Sequence, residues 1–132
     1  MKIGSYGYTA ENTNRSKLPW TIYHNPRCSK SREALDLLRI NNVDPHIVEY
    51  LVTPPNKPEL LGLLQILQVK PREIIRTKEA IFSTLTVDLE NAEQVVDAIL
   101  KHPELLERPI VVHAGKAVIA RPSERVLELK SK

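Results

Sequence analysis

The residue best placed to do chemistry in this chain is a cysteine at a junction. Cys28 stands in the run His24-Asn25-Pro26-Arg27-Cys28-Ser29-Lys30-Ser31-Arg32, where a strand pattern gives way to a helical one. Its flanks are polar or charged, so this is not a core segment. Backbone N–H groups in a helix's first turn lack intrahelical partners and point back at a residue in this position. A helix N-terminus also carries roughly half a positive charge. Arg27, Lys30 and Arg32 add three cations within four residues. Such settings lower a thiol pKa from ~8.5 to between ~3.5 and ~7.5. A thiolate at neutral pH attacks soft electrophiles. The competing reading is a small buried hydrophobe, the usual lot of a lone cysteine in such a domain, and the polar flanks argue against it.

Two neighbours bear on the sulfur. Ser31 completes a Cys28-x-x-Ser31 pattern and is read either as a hydroxyl donor to the sulfur or as a plain first-turn cap. His24, four residues before the cysteine, either tunes the thiolate or holds the loop. There is no second cysteine in the chain. An adduct on Cys28 therefore cannot be resolved by an internal disulfide, and any redox cycle needs a thiol from outside. A cysteine-phosphatase loop needs Arg at the sixth position after the cysteine. Ala34 stands there, so that chemistry is excluded.

Composition narrows the field further. The 132 residues suit one domain. Nineteen basic against 16 acidic residues is too balanced to argue for nucleic acid, and aromatics for base stacking are scarce at 5%. No apolar run reaches the ~18 residues that span a bilayer. His46, His102 and His113 show no metal spacing, so no metal is assigned. Residues 1–18 are polar and read as a flexible N-terminal extension, without the apolar stretch of a secretory signal. Residues 19–132 read as the domain, and the cytoplasm is the expected compartment, where a lone thiol stays reduced.

The elements that must position the cysteine follow from periodicity. Trp20–His24 is aromatic and β-branched and predicts a strand; Asn25-Pro26 breaks it. Ala34, Leu37, Leu38 and Asn41 lie at helical spacing from Ser29 onward. Residues 46–52 predict a second strand. Asn56 with Pro58 and Glu59 announces a helix whose stripe is Leu60, Leu63, Leu64 and Leu67. A short helix is predicted over residues 71–76. Asn91 caps another helix that buries Val95, Val96, Ile99 and Leu100. A helical turn or two follows over residues 103–107. Residues 109–113 and 117–120 predict a hairpin around Ala114-Gly115-Lys116, and a last helix opens at Pro122. The order β-α-β, helices, β-β-α predicts an α/β fold: a thioredoxin-like mixed four-stranded sheet with flanking helices and a helical insertion.

With those residues in place, the run from Tyr23 to Arg32 resembles the active-site loop of the glutaredoxin-coupled arsenate reductases, the ArsC family with its Spx and YffB-like relatives. Tyr50-Leu51 before Thr53-Pro54-Pro55 resembles that family's connector, and Ile74-Ile75-Arg76 its Leu-Leu-Arg. Arg108-Pro109-Ile110-Val111-Val112 and Arg121-Pro122-Ser123-Glu124 are similar to its two closing motifs. The resemblance runs from about Trp20 to Leu129. It implies that Cys28 attacks arsenate, that Arg76, Arg108 and Arg121 surround the oxyanion, and that His24 and Ser31 tune the thiolate. It implies glutathione as co-substrate, glutaredoxin as partner, arsenite as product and no bound cofactor. Arg72, one turn before Arg76, is the alternative site arginine. A cis bond at Arg108–Pro109 would bring backbone close to Cys28.

Elementary electrostatics agrees with three arginines. Two unit charges of like sign ~4 Å apart repel by ~4 kcal/mol near a protein surface. Guanidinium forks offset that repulsion while holding oxygens in pairs. Ser29-Lys30-Ser31 departs from the Gly-Thr-Ser of well-known members. Two other readings therefore stand beside arsenate reduction. One is a glutathione-dependent thiol transferase of the same fold, which needs Cys28 but not all three arginines. The other is an Spx-like regulator that binds RNA polymerase without turnover; such regulators carry a Cys-x-x-Cys switch, which Ser31 breaks.

Overall fold

The computed structural model describes residues 18–130. But for Leu18, the extension expected over residues 1–18 lies outside the described residues, as do the last two. The sheet has the order β2-β1-β3-β4, with β1 Trp20–His24, β2 His46–Glu49, β3 Ile110–His113 and β4 Lys116–Ile119. β1 runs parallel to β2 and antiparallel to β3, and β3 is antiparallel to β4. The mixed four-stranded sheet is the one the element order predicts.

Side chains on a strand alternate between faces, and here both faces are covered. Ile22 and Val111 point into one core with Ala34, Leu35 and Leu38 of α1 (Ser29–Ile40) and with Val126 and Leu129. Tyr23 and Ile110 point into the other, with the leucine stripe of α2 (Lys57–Leu67) and Val95, Val96 and Ile99 of α3 (Ala92–Lys101). The caps read from sequence are formed. Asn56 Oδ1 accepts the Glu59 N–H at 2.9 Å, and Asn91 Oδ1 accepts the Gln94 N–H at 3.0 Å.

Several boundaries differ from expectation for identifiable reasons. β2 stops at Glu49, because the N–H groups of Val52 and Thr53 both turn back to the Glu49 carbonyl, at 2.9 and 2.8 Å. Tyr50 thereby drops into the core while Leu51 and Val52 stay exposed. The hairpin turn is Ala114-Gly115 alone, both with positive φ, as a two-residue connection demands. β4 accordingly starts at Lys116. In α1 it is Leu35, not Leu37, that is buried. The last element is a 3-10 helix over Ser123–Leu129. A 3-10 turn over Ala80–Thr84 carried no sequence signal that we read.

The short helix expected over 71–76 is a 3-10 turn that ends at Ile74, because Ile75 leaves it to pair with Leu106 in an isolated antiparallel bridge. Arg76 N–H donates to the Leu105 carbonyl at 2.7 Å and Glu107 N–H to the Ile74 carbonyl at 2.8 Å. This bridge ties the helical insertion to the segment that leads into β3. It carries Arg76 to the same end of the sheet as Arg108.

Candidate active site

β1 delivers the cysteine. Its last residues lie level with the start of β3, Tyr23 opposite Ile110. Asn25 then turns the chain: its carbonyl accepts the Cys28 N–H at 3.0 Å and its side-chain oxygen accepts the Arg27 N–H at 3.0 Å. Cys28 is the residue that precedes the first helical one, with extended φ −98° and ψ 124°, and its own side chain caps nothing. The sulfur is thus left facing free N–H groups. Burial pushes the thiol up. The Ser31 N–H, the positive charge of Arg108, the Lys30 N–H and a hydrogen bond from Arg108 outweigh it and hold the thiol below its ordinary value.

The Ser31 hydroxyl does something other than donate to sulfur. It lies 2.6 Å from His24 Nδ1 and accepts the Asn25 N–H at 3.0 Å. Ser31 and His24 are both buried. Of the two readings of His24, holding the loop is the one this geometry displays. Ser31 reaches the cysteine through its backbone N–H. Ser31→Ala should therefore destabilise the protein by about 1–3 kcal/mol, the cost of leaving buried polar partners unmet. Because the N–H remains, Cys28 should keep its reactivity. Urea denaturation and thiol alkylation read the two effects separately.

Burial lowers the His24 pKa; Glu49 opposes the shift, and Arg39 and Arg32 add to it. As the pH falls below ~6.5, the unfolded chain takes up a proton that the folded chain resists, so stability falls. Urea midpoints measured from neutral pH downward should show this acid limb. In His24→Gln the limb should be shallower.

The arginines stand unequally to the cysteine. The Arg108 side chain is 13% exposed and is the guanidinium that bonds the thiol. Its buried Nε has no hydrogen-bond partner. Arg121 stands across from it: Ile110 pairs with Ile119, and the Ala120 N–H donates to the Pro109 carbonyl at 2.9 Å. Arg121 Nη1 donates to the Arg108 carbonyl at 3.2 Å. Both the Arg108–Pro109 and Arg121–Pro122 bonds are cis. Arg76, 25% exposed, pairs with Glu79 at 2.9 Å. Arg72 is ion-paired with Glu90 on the exposed surface, whereas the charge of Arg76 reaches the site. Of the two, Arg76 is the one whose charge acts on Tyr50 beside the cysteine.

Three site residues escaped the sequence reading. Tyr50 is buried, and its hydroxyl bonds the Asn25 side chain. Burial raises its pKa to about 12, Arg108 and Arg76 pull it down, and the Cys28 charge pushes it up. One tyrosine thus senses the cysteine and two arginines. Glu79 is the partner of Arg76, at the i+3 spacing that favours such pairs. Glu107 Oε1 lies 3.4 Å from Arg108 Nη1 and 3.7 Å from Arg121 Nη1. Its signal was its place directly before Arg108. Among the described residues no group of three or more His, Cys, Asp or Glu side chains could hold a metal, and no helix is long and apolar enough to cross a membrane.

The arrangement is a thiol of lowered pKa beside a guanidinium group, chemistry that suits attack on an anion. Known proteins agree in sequence and in fold. The model of the ArsC family matches residues 23–129. The protein named uncharacterized protein YfgD of Escherichia coli K12 is 49% identical over 111 residues, covering 82% of this chain and 93% of that one. The arsenate reductase of Neisseria meningitidis serogroup A is 43% identical over 108 residues, covering 80% and 92%. The solved structure of arsenate reductase from Vibrio cholerae matches with a TM-score of 0.80 at 40% identity, covering 86% of this chain and 98% of that one.

Proposed function

The chain belongs to the ArsC family, and from that premise we propose that it reduces arsenate to arsenite with glutathione and glutaredoxin as external reductants. The observation that carries the reading is the contact of Arg108 with the Cys28 thiol, whose pKa is held down. The same guanidinium that favours the thiolate can hold the anion it attacks. In the first step the Cys28 sulfur bonds to arsenic and an arsenate oxygen leaves as water after taking up protons. Arg76, Arg108 and Arg121 offset the meeting of two anions and the charge that builds on oxygen. A glutathione thiolate then attacks the Cys28 sulfur. The sulfur–arsenic bond breaks, its electron pair stays with arsenic, and arsenite departs. The two sulfurs are left as a mixed disulfide. Glutaredoxin takes the glutathionyl group and returns Cys28 to the thiolate.

The test is oxidation of reduced nicotinamide in an assay coupled through glutathione, glutaredoxin and glutathione reductase. Turnover that depends on arsenate supports the reading. One observation favours a second reading, a glutathione-dependent thiol transferase: Glu79 and Glu107 already pair with the site arginines, which makes the pocket less positive. Reduction of mixed disulfides without arsenate-dependent turnover would establish that reading instead.

A further inference from the structure

We propose that Glu107 is a resident counter-anion: its carboxylate occupies the Arg108–Arg121 pair until a tetrahedral oxyanion displaces it, and so sets how strong an anion must be to enter. This rests on the reading of those arginines as the oxyanion site. A single oxygen, Oε1, faces both guanidinium groups, at 3.4 and 3.7 Å, and also accepts the Arg108 N–H at 3.1 Å. That is where an oxygen bridging the two side chains would sit. The backbone of Glu107 is held by its N–H bond to the Ile74 carbonyl at 2.8 Å, so the carboxylate swings on a fixed base. Arg108 is not satisfied by it, since the buried Nε stays without a partner. A ligand with more oxygens than a carboxylate can meet donors that Glu107 leaves unmet.

Entry is then an exchange of one anion for another. A carboxylate or a weakly charged anion gains little by displacing a carboxylate. An arsenate- or phosphate-like anion gains additional charge-assisted bonds. Glu107 also offsets part of the charge of the two guanidinium groups while the site is waiting, which holds them in place without a substrate. It acts through Arg108 and Arg121 and is a positioning residue.

The probe is inorganic phosphate, a tetrahedral oxyanion that does not oxidise thiols. Its binding is read as protection of Cys28 from iodoacetamide. Glu107→Gln keeps an oxygen that can accept the Arg108 N–H and removes the charge. The phosphate concentration for half-protection should fall about tenfold, a modest share of what an adjacent like charge can cost. In the coupled assay KM for arsenate should fall with it, while kcat changes less than about twofold, the pattern of altered binding before chemistry. Glu107→Ala should move protection in the same direction. Glu90→Gln, which removes a carboxylate paired with Arg72 on the exposed surface, should move nothing. Unchanged or weaker phosphate protection in both Glu107 variants overturns the proposal, whatever the turnover. A protection shift without arsenate turnover in the wild type leaves the counter-anion standing and removes arsenate as the substrate.

Discussion

Cys28→Ser should abolish arsenate-dependent turnover, with a loss on the order of 10³-fold or more, as expected when the nucleophile of a covalent mechanism is removed. A serine hydroxyl in the same place faces the same Ser31 and Lys30 N–H groups and the same Arg108. It is far less acidic than a thiol, so these groups cannot keep it ionised at neutral pH. It also offers no sulfur to glutathione, so the second step has no mixed disulfide to form. The chain has no other cysteine to take over. Circular dichroism should show an unchanged fold, because the Cys28 side chain makes no capping bond. Residual arsenate-dependent turnover in this variant would mean that the chemistry runs elsewhere.

Arg108→Ala should be the next most damaging change, lowering kcat/KM by about 10²–10³-fold, the usual cost of deleting a donor to developing negative charge. Arg108 acts on the sulfur twice, through its charge and through a hydrogen bond, and both lower the thiol pKa. Its removal leaves the opposing effect of burial less countered. The pH profile of Cys28 alkylation by iodoacetamide should therefore shift to higher pH. Arg108→Lys should restore much of that profile and less of the turnover, since a point charge favours the thiolate but lacks the fork that grips two oxygens. A profile that does not move in Arg108→Ala would show that Arg108 is not the group that keeps the sulfur ionised.

Much of this arrangement was legible along the chain. The polar run around Cys28 placed it at a strand-to-helix junction, where the structure has it, because a helix start is a local event with local signals. The hairpin carrying Arg108 and Arg121 was legible too, though the two-residue turn that puts them opposite one another came only with the structure. Capping asparagines marked α2 and α3 correctly for the same local reason.

What could not be read was set by contacts between distant segments. No periodicity announces that Ile75 pairs with Leu106 across some thirty residues, and without that bridge only the family match separates Arg76 from Arg72. The partner of the Ser31 hydroxyl was left open between the sulfur and a backbone N–H, and its bond to His24 was not foreseen. Cys28-x-x-Ser31 spacing brings the serine near the sulfur, but the buried His24 ring competes for it, at 2.6 Å. Glu107 was read as part of a turn. Its role depends on the β3–β4 register, which brings a second guanidinium to the same carboxylate oxygen. The 3-10 geometry of the last element reflects packing against the sheet and α1, where Val126 and Leu129 must both reach one core.

The donors that face the sulfur at Ser31 and Lys30 belong to peptide units rather than to side chains. Mutation can exchange what Ser29 and Lys30 display to solvent without touching those donors, proline apart, since only proline lacks the N–H. The outward chemistry of the loop can therefore change at those two positions while the peptide donors to its thiol stay in place. Substitutions there would alter which surfaces the loop can meet, and say little about whether its sulfur reacts.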